Sequence, residues 1–133
     1  MSQLTVFLAR LIGLFSILIV AGLMIRGGSV VETILADGPV MLVYAVISLG
    51  LGLGMILAHN KWSGAAPTVV VTLVGWLILA KGILLLCLAP ETFTRLLAQI
   101  HYGAHFSLFL MPALMIGLYL TWAGFSPTTA KAP

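Results

Sequence analysis

The chain has 133 residues, of which 62% are hydrophobic and only 7% are Asp, Glu, Lys or Arg, with a formal net charge of +3. A water-soluble domain carries roughly 25% charged residues to maintain a wet surface, so this composition excludes an ordinary soluble protein. The few positive charges are scattered rather than clustered, and we therefore expect no nucleic-acid partner.

Four apolar stretches are each about long enough to cross a lipid bilayer. At roughly 1.5 Å rise per residue, about 20 residues span the ~30 Å hydrocarbon core. Barrel strands would alternate apolar and polar residues, and these stretches do not. The stretches are Thr5–Ile25, Pro39–Ala58, Thr68–Ala89 and Gly103–Gly124. They predict an all-α membrane protein with a single domain over residues 1–133, folded as a four-transmembrane-helix antiparallel bundle.

The two longer connections are predicted to form short amphipathic surface helices. In residues 26–38 the apolar positions repeat at helical spacing, and in residues 90–102 the pair Pro90 and Glu91 is typical of a helix start. The apolar stripes consist of Val30, Val31, Ile34 and Leu35 in the first, and of Phe93, Leu96, Leu97 and Ile100 in the second. Such helices lie on the membrane surface with the apolar stripe facing the lipid.

The distribution of basic residues predicts the orientation. Lys61 and Lys131 lie on the side that holds both termini, whereas Arg26 and Arg95 lie on the other side, and Arg10 lies near the N-terminal end of the first span. The positive-inside rule therefore favours cytoplasmic termini.

Lys81 is the most unusual residue, because it places an ammonium group within the third span. An intramembrane charge is a functional hypothesis by default. One interpretation is a snorkelling or ion-paired lysine, with Asp37, Glu32 or Glu91 as the candidate partner. The other is a site for an anionic headgroup or a quinone-like ligand.

Two histidines stand four residues apart before the fourth span. His101 and His105 can share one helix face, which is a spacing used by metal ligands, but it is also common by chance. We expect interfacial polar residues here, no metal site and no cofactor. The chain also lacks a paired nucleophile and base, so we expect no catalytic residues.

Small residues at four-residue spacing predict contact surfaces between helices. Gly50, Gly54 and Ala58 form one such series in the second span. Small residues allow helix backbones to approach closely in a membrane. The series is predicted either to pack within the bundle or to form a seam for self-association or a partner.

The run Gly50–Trp62, followed by Gly75-Trp76, Lys81-Gly82 and Pro90, resembles a set of small bacterial inner-membrane proteins with four predicted spans. They share an HN-x-W … GW … KG … P pattern and have no assigned activity. The resemblance covers about a third of the chain and implies the bacterial cytoplasmic membrane, but no mechanism. It points to His59, Asn60, Trp62, Trp76 and Lys81 as ligand or partner residues. Trp76, placed deeper than Trp62, is also expected to fill core space.

The sequence thus predicts a non-catalytic accessory, assembly or oligomer-forming component that binds another membrane protein or itself. The alternative is a carrier or pore for a small or lipid-like solute, with Lys81 as its charged element.

Overall fold

A computed structural model describes residues 2–101 and 105–126, which form six α-helices and no strand. The helices are α1 (Gln3–Arg26), α2 (Ser29–Ala36), α3 (Gly38–Ala58), α4 (Ala66–Cys87), α5 (Pro90–Gln99) and α6 (Phe106–Phe125). By length and composition, α1, α3, α4 and α6 can cross a membrane. The all-helical class is confirmed, as is the presence of four helices long and apolar enough to cross a membrane, and these helices indicate a multi-pass membrane protein. The predicted start of the fourth span, Gly103, and residues 127–133 lie outside the described residues.

Local sequence explains where the helices begin and end. The Ser2 Oγ accepts a hydrogen bond from the Thr5 N–H at 3.2 Å and caps α1, and the Asp37 Oδ1 accepts one from the Val40 N–H at 3.1 Å and caps α3. α4 ends at Cys87, two residues before the predicted Ala89. The reason is Pro90, because a proline disfavours the helical conformation in the residue before it. Pro90 itself begins α5, as predicted.

The long helices associate chiefly as two pairs, α1 with α6 and α3 with α4, and α4 also contacts α1 and α6. Glycines allow the two helices of each pair to approach each other closely. An added Cβ at Gly13 of α1 would overlap Thr121 of α6, and one at Gly117 would lie 3.0 Å from the Ser16 Cβ. The α1–α6 pair therefore packs with its backbones almost in contact.

The α3–α4 pair has a register that can be read from its glycines. An added Cβ at Gly52 would lie 2.6 Å from the Leu79 nitrogen, and one at Gly82 would lie 2.7 Å from the Leu49 nitrogen. A step from Leu79 to Gly82 along α4 therefore corresponds to a step from Gly52 back to Leu49 along α3, so the two helices run in opposite directions. By the same step Lys81 lies level with Gly50.

The described residues have two recognisable ends. One holds Ser2, the connection 59–65 and the end of α6, and we call it the His59 end. At the other, α2 contacts α5, and we call it the α2–α5 end. Three small clusters of buried apolar side chains run between the ends, and they are centred on Leu120, Ala45 and Val20.

Candidate functional site

His59 lies buried at the junction of α1, α3 and α4. Only 2% of it is exposed, and its backbone N–H closes α3 by donating to the Met55 carbonyl at 2.7 Å. The ring nitrogens contact two threonine hydroxyls: Nε2 lies 2.8 Å from the Thr5 Oγ1, and Nδ1 lies 3.1 Å from the Thr72 Oγ1. One imidazole therefore connects the start of α1 to the body of α4.

The Thr72 hydroxyl fixes the direction of these hydrogen bonds. It has two carbonyl acceptors, Lys61 O at 2.9 Å and Thr68 O at 3.1 Å, and it accepts from the Lys61 N–H at 3.0 Å. A hydroxyl has one proton and two acceptor positions. Because its proton points to the carbonyls, its second acceptor position receives the proton on the His59 Nδ1.

The same reasoning assigns the rest of the chain of hydrogen bonds. With the proton on Nδ1, the neutral imidazole accepts at Nε2, so the Thr5 hydroxyl donates to it. Thr5 in turn accepts from the Ser2 hydroxyl at 2.8 Å. Thr5 and Thr72 are each only 1% exposed. In the described residues no buried side-chain polar atom lacks a partner, so this network is complete with a neutral histidine.

Burial lowers the pKa of His59 below its ordinary value, and the positive charge of Lys61 lowers it further, against an opposing hydrogen bond to the backbone. Burial disfavours the charged imidazolium because it removes water. His59 is therefore neutral at pH 7, in agreement with the network of hydroxyl partners.

Asn60 extends this network to two exposed indoles. Its Oδ1 accepts from the Trp62 Nε1 at 2.9 Å and from the Trp76 Nε1 at 3.4 Å. Trp76 is 42% exposed, so the expectation that it fills core space is wrong. The four residues His59, Asn60, Trp62 and Trp76 thus come together, and we call them, with Thr5 and Thr72, the His59 cluster.

The His59 cluster is a structural hydrogen-bond network that links α1, α4 and the connection between α3 and α4. The hydroxyls and the imidazole satisfy one another, and the Asn60 amide is bonded to the two indoles. The bonds of the His59 ring join it to α1 and α4, whereas the bond between Asn60 and Trp62 and the bond between Thr72 and Thr68 stay within one segment. A network in which every group is satisfied makes the local structure rigid and unique. The cluster fixes the connection between α3 and α4 and holds α1 against α4.

Lys81 lies apart from the His59 cluster. Its Nζ donates to the Tyr44 hydroxyl at 3.1 Å and lies 4.7 Å from the centre of the Tyr44 ring. Among the described residues, no carboxylate forms an ion pair with it. Of the acids considered as partners, Asp37 caps α3, Glu32 lies in the first turn of α2 and Glu91 in the first turn of α5.

His101 and His105 do not assemble a ligand set within residues 2–101 and 105–126. The Nδ1 of His105 faces the His101 carbonyl at 3.3 Å, where it acts as a donor. No three His, Cys, Asp or Glu side chains in these ranges come together. The bond to the backbone engages one ring nitrogen of His105.

Gly50, Gly54 and Ala58 are all exposed. Nothing lies within 4 Å of a Cβ added at Gly50 or Gly54, whereas the contact with α4 is made by Gly52. The series therefore has no role in the packing of the described chain.

Three partners escaped the sequence reasoning, namely Thr5, Thr72 and Tyr44. Thr72 carried a usable signal, because Thr68, Thr72 and Gly75 share one face of α4 in an otherwise apolar helix. Thr5 and Tyr44 carried none, since their roles depend on how separate helices align.

Comparison of the chain with protein-family models, with curated proteins and with solved structures finds no match. The resemblance based on the HN-x-W … GW … KG … P pattern stays a prediction, and the functional conclusion rests on geometry.

Proposed function

We propose that the chain is a non-catalytic component of the bacterial cytoplasmic membrane that associates with another membrane protein or with itself through the outer face of α3. In this proposal α1, α3, α4 and α6 form an antiparallel four-helix bundle. The α2 and α5 helices lie on the surface of the cytoplasmic membrane that faces away from the cytoplasm, and both termini are cytoplasmic.

The exposed small-residue strip on α3 carries the proposal. Gly50, Gly54 and Ala58 are four residues apart, so each lies about 40° further round the helix than the one before. The strip lies away from Met41 and Ala45, which face the rest of the chain and are buried. Lipid tails are as apolar as leucine, so helices in membranes associate where small residues permit close backbone contact.

Most glycines within the helices are used for internal contacts. Gly in a helix costs roughly 0.5–1 kcal/mol relative to Ala, so a helical glycine calls for a structural reason. Close neighbours supply that reason at Gly13, Gly52, Gly75, Gly82, Gly117 and Gly124. Gly22, Gly50 and Gly54 have no such neighbour. Gly50 and Gly54 differ from Gly22 because they form a series with Ala58 on one face of α3, where a second helix would supply the neighbour.

The partial burial of α5 supports its placement on the surface. Phe93 and Leu97 pack against the buried cluster of Met41, Ala45 and Leu85, whereas Glu91 and Arg95 are exposed. An α5 helix with this division has one side on the bundle and the other towards water.

The test compares Gly54→Leu and Gly50→Leu with Gly22→Leu. Gly22 is a matched control, because it lies in the long helix α1 and also has nothing within 4 Å of an added Cβ. We expect the two α3 variants to lose the associated species in mild detergent and in nanodiscs, as measured by mass, while Gly22→Leu retains it. Unchanged association in both α3 variants would contradict the proposal.

The carrier or pore built on Lys81 has less support. The ammonium of Lys81 lies on an exposed face beside Tyr44, which is itself 43% exposed. Loss of solute flux in Lys81→Ala with unchanged assembly would favour this alternative.

A further inference from the structure

Lys81 and Tyr44 form an exposed polar pair on the outside of the α3–α4 pair. The Lys81 Nζ donates to the Tyr44 hydroxyl at 3.1 Å, and the centre of the Tyr44 ring lies 4.7 Å from the same nitrogen. A hydroxyl and a ring face stabilise a cation without cancelling its charge. Both residues are exposed, so the polar pair presents a single positive charge at the surface of the described chain.

The polar pair also has hydrogen-bond donors beyond the one that joins its members. An ammonium has three N–H donors, and a phenol has one O–H donor besides its acceptor positions. One ammonium proton goes to the Tyr44 oxygen, which leaves the phenol proton directed away from Lys81. An anionic oxygen beside the polar pair can therefore accept from both residues.

The acidic side chains of the chain have other positions. Asp37 caps α3 through its bond to the Val40 N–H, and Glu32 and Glu91 lie in the first turns of α2 and α5. A negative charge at the start of a helix is stabilised by the helix dipole. Since the sequence contains only these three acids, an anion that complements the polar pair comes from another molecule.

The length of α4 places the polar pair near one edge of the membrane. α4 has 22 residues, or about 33 Å, which matches the ~30 Å hydrocarbon core and puts Cys87 at its edge. Lys81 lies about 9 Å from Cys87. In the α3–α4 register Tyr44 is level with Cys87, so the lysine side chain extends towards that edge. A lysine of about 6 Å length that snorkels in this direction reaches the headgroup region.

The α5 helix marks the same depth independently. Phe93 and Leu97 of α5 pack against the buried cluster that contains Leu85, about one turn beyond Lys81, while the charged side chains of α5 are exposed. A helix with this division lies at the boundary between headgroups and acyl chains. The Lys81 ammonium extends towards this level.

Apolar side chains continue from the polar pair towards the middle of the membrane. Ile47 and Leu51 follow Tyr44 along one face of α3, and Leu77 precedes Lys81 by one turn on α4. All three are more than half exposed. This surface suits an acyl chain, and the polar pair suits the headgroup of the same molecule.

We propose that Lys81 and Tyr44 bind the phosphate of an anionic phospholipid. The phosphate accepts from the Lys81 ammonium and from the Tyr44 O–H, and an acyl chain lies along Ile47, Leu51 and Leu77. A zwitterionic lipid fits less well, because its own ammonium already compensates its phosphate. The depth of the site rests on the membrane placement in the proposed function, but the site does not require the association face on α3.

The test titrates the full-length chain, freed of native lipid in detergent, with phosphatidylglycerol or with phosphatidylcholine of the same acyl chains. Native mass spectrometry counts the bound lipids and gives the affinity for each. We expect one phosphatidylglycerol to bind about tenfold more tightly than phosphatidylcholine, which is the size of one hydrogen bond to a charged group. Lys81→Met abolishes this preference and Lys81→Arg retains it. Tyr44→Phe, which keeps the ring and removes the O–H, lowers it.

Lys61→Met is the matched control, because Lys61 is also exposed but lies at the His59 end, and it leaves the preference unchanged. A preference that survives Lys81→Met, or that Lys61→Met removes equally, overturns the inference, since binding then follows the overall charge. A full preference in Tyr44→Phe overturns the site with two donors. Displacement of phosphatidylglycerol by equally dilute, water-soluble glycerol phosphate identifies a free phosphate as the occupant and overturns the lipid.

The outcomes are independent of the association measured for the glycine variants. None of the lipid-binding variants alters Gly50 or Gly54, so a failed lipid test leaves the proposed association standing. Unchanged association in Gly50→Leu and Gly54→Leu, in turn, leaves the lipid preference as expected. Circular dichroism of each variant checks that it is folded.

Discussion

Thr5→Val removes the hydrogen bond that ties α1 to the His59 ring, together with the part-buried bond between the Ser2 and Thr5 hydroxyls. Valine has nearly the shape of threonine but cannot donate to the His59 Nε2, which lies 2.8 Å from the threonine hydroxyl. Because His59 is only 2% exposed, water does not replace the lost donor. The variant leaves a buried acceptor unpaired while it preserves the packing.

The magnitude follows from two ranges. An unpaired buried acceptor costs about 1–3 kcal/mol, whereas hydrogen bonds between membrane helices average about 0.6 kcal/mol in double-mutant cycles. We expect Thr5→Val to lower the unfolding free energy by about 1 kcal/mol. In a His59→Leu background the acceptor is already absent. Thr5→Val then removes only the bond between the Ser2 and Thr5 hydroxyls, so its effect should be clearly smaller than in the wild type.

The assay is reversible unfolding in mixed micelles at increasing fractions of sodium dodecyl sulfate, applied to the wild type, both single variants and the double variant. Thr33→Val is the control, because Thr33 is exposed and donates only to Ser29 of its own helix. An equal effect of Thr5→Val in the presence and absence of His59 would refute the assigned network.

Three further predictions concern the pH response, the close helix contact and the cost of the intramembrane charge. Burial holds the pKa of His59 below its ordinary value of 6.5, so between that value and the folded-state pKa the unfolded chain binds more protons than the folded chain. As the pH falls through this range, the unfolding free energy should fall by up to ~1.4 kcal/mol per pH unit, and it should level off below the folded-state pKa. The His59→Gln variant should lack this pH-dependent component. Gly82→Ala places a Cβ 2.7 Å from the Leu49 nitrogen and should cost about 1–3 kcal/mol in micelle unfolding, whereas Gly50→Ala should be neutral or slightly stabilising; similar losses in both would contradict the α3–α4 register. A lysine costs roughly 2.5–3.5 kcal/mol at a helix centre, and Lys81 lies about 9 Å from the end of α4 at Cys87, so Lys81→Met should improve insertion in a translocon assay by less than that amount; unchanged insertion would contradict the placement of Lys81 within the membrane.

Composition and helix signals were enough to predict the four long helices. Hydrophobic length located each span, and Pro90 located the start of α5. Within the described residues the boundaries differ by at most two residues, as at Cys87, after which Leu88 and Ala89 are extended and Pro90 disfavours the helical conformation in Ala89. These are effects within one segment, and a single sequence contains them.

Contacts between helices could not be predicted in the same way, because they depend on register and rotation. Gly50, Gly52 and Gly54 are equivalent as letters in an apolar run, yet only Gly52 faces α4. A rotation of α3 by half a turn would exchange their roles. The residues around His59 could be singled out because most of them lie close in sequence to the turn between α3 and α4, so their proximity does not depend on the rotation of a helix.

The polar groups of the His59 cluster are hydrogen-bonded within the chain, whereas the exposed small-residue strip on α3 has no partner among the described residues. At the His59 end, every hydroxyl and ring nitrogen of the cluster has a partner in the same chain, so this end is complete by itself. On the side of α3 that faces away from α4, Gly50 and Gly54 have no neighbour within 4 Å of an added Cβ. A membrane offers no hydrophobic driving force between helices, so helices associate where small residues permit close backbone contact. The exposed small-residue strip on α3 is therefore the feature on which the proposed association rests.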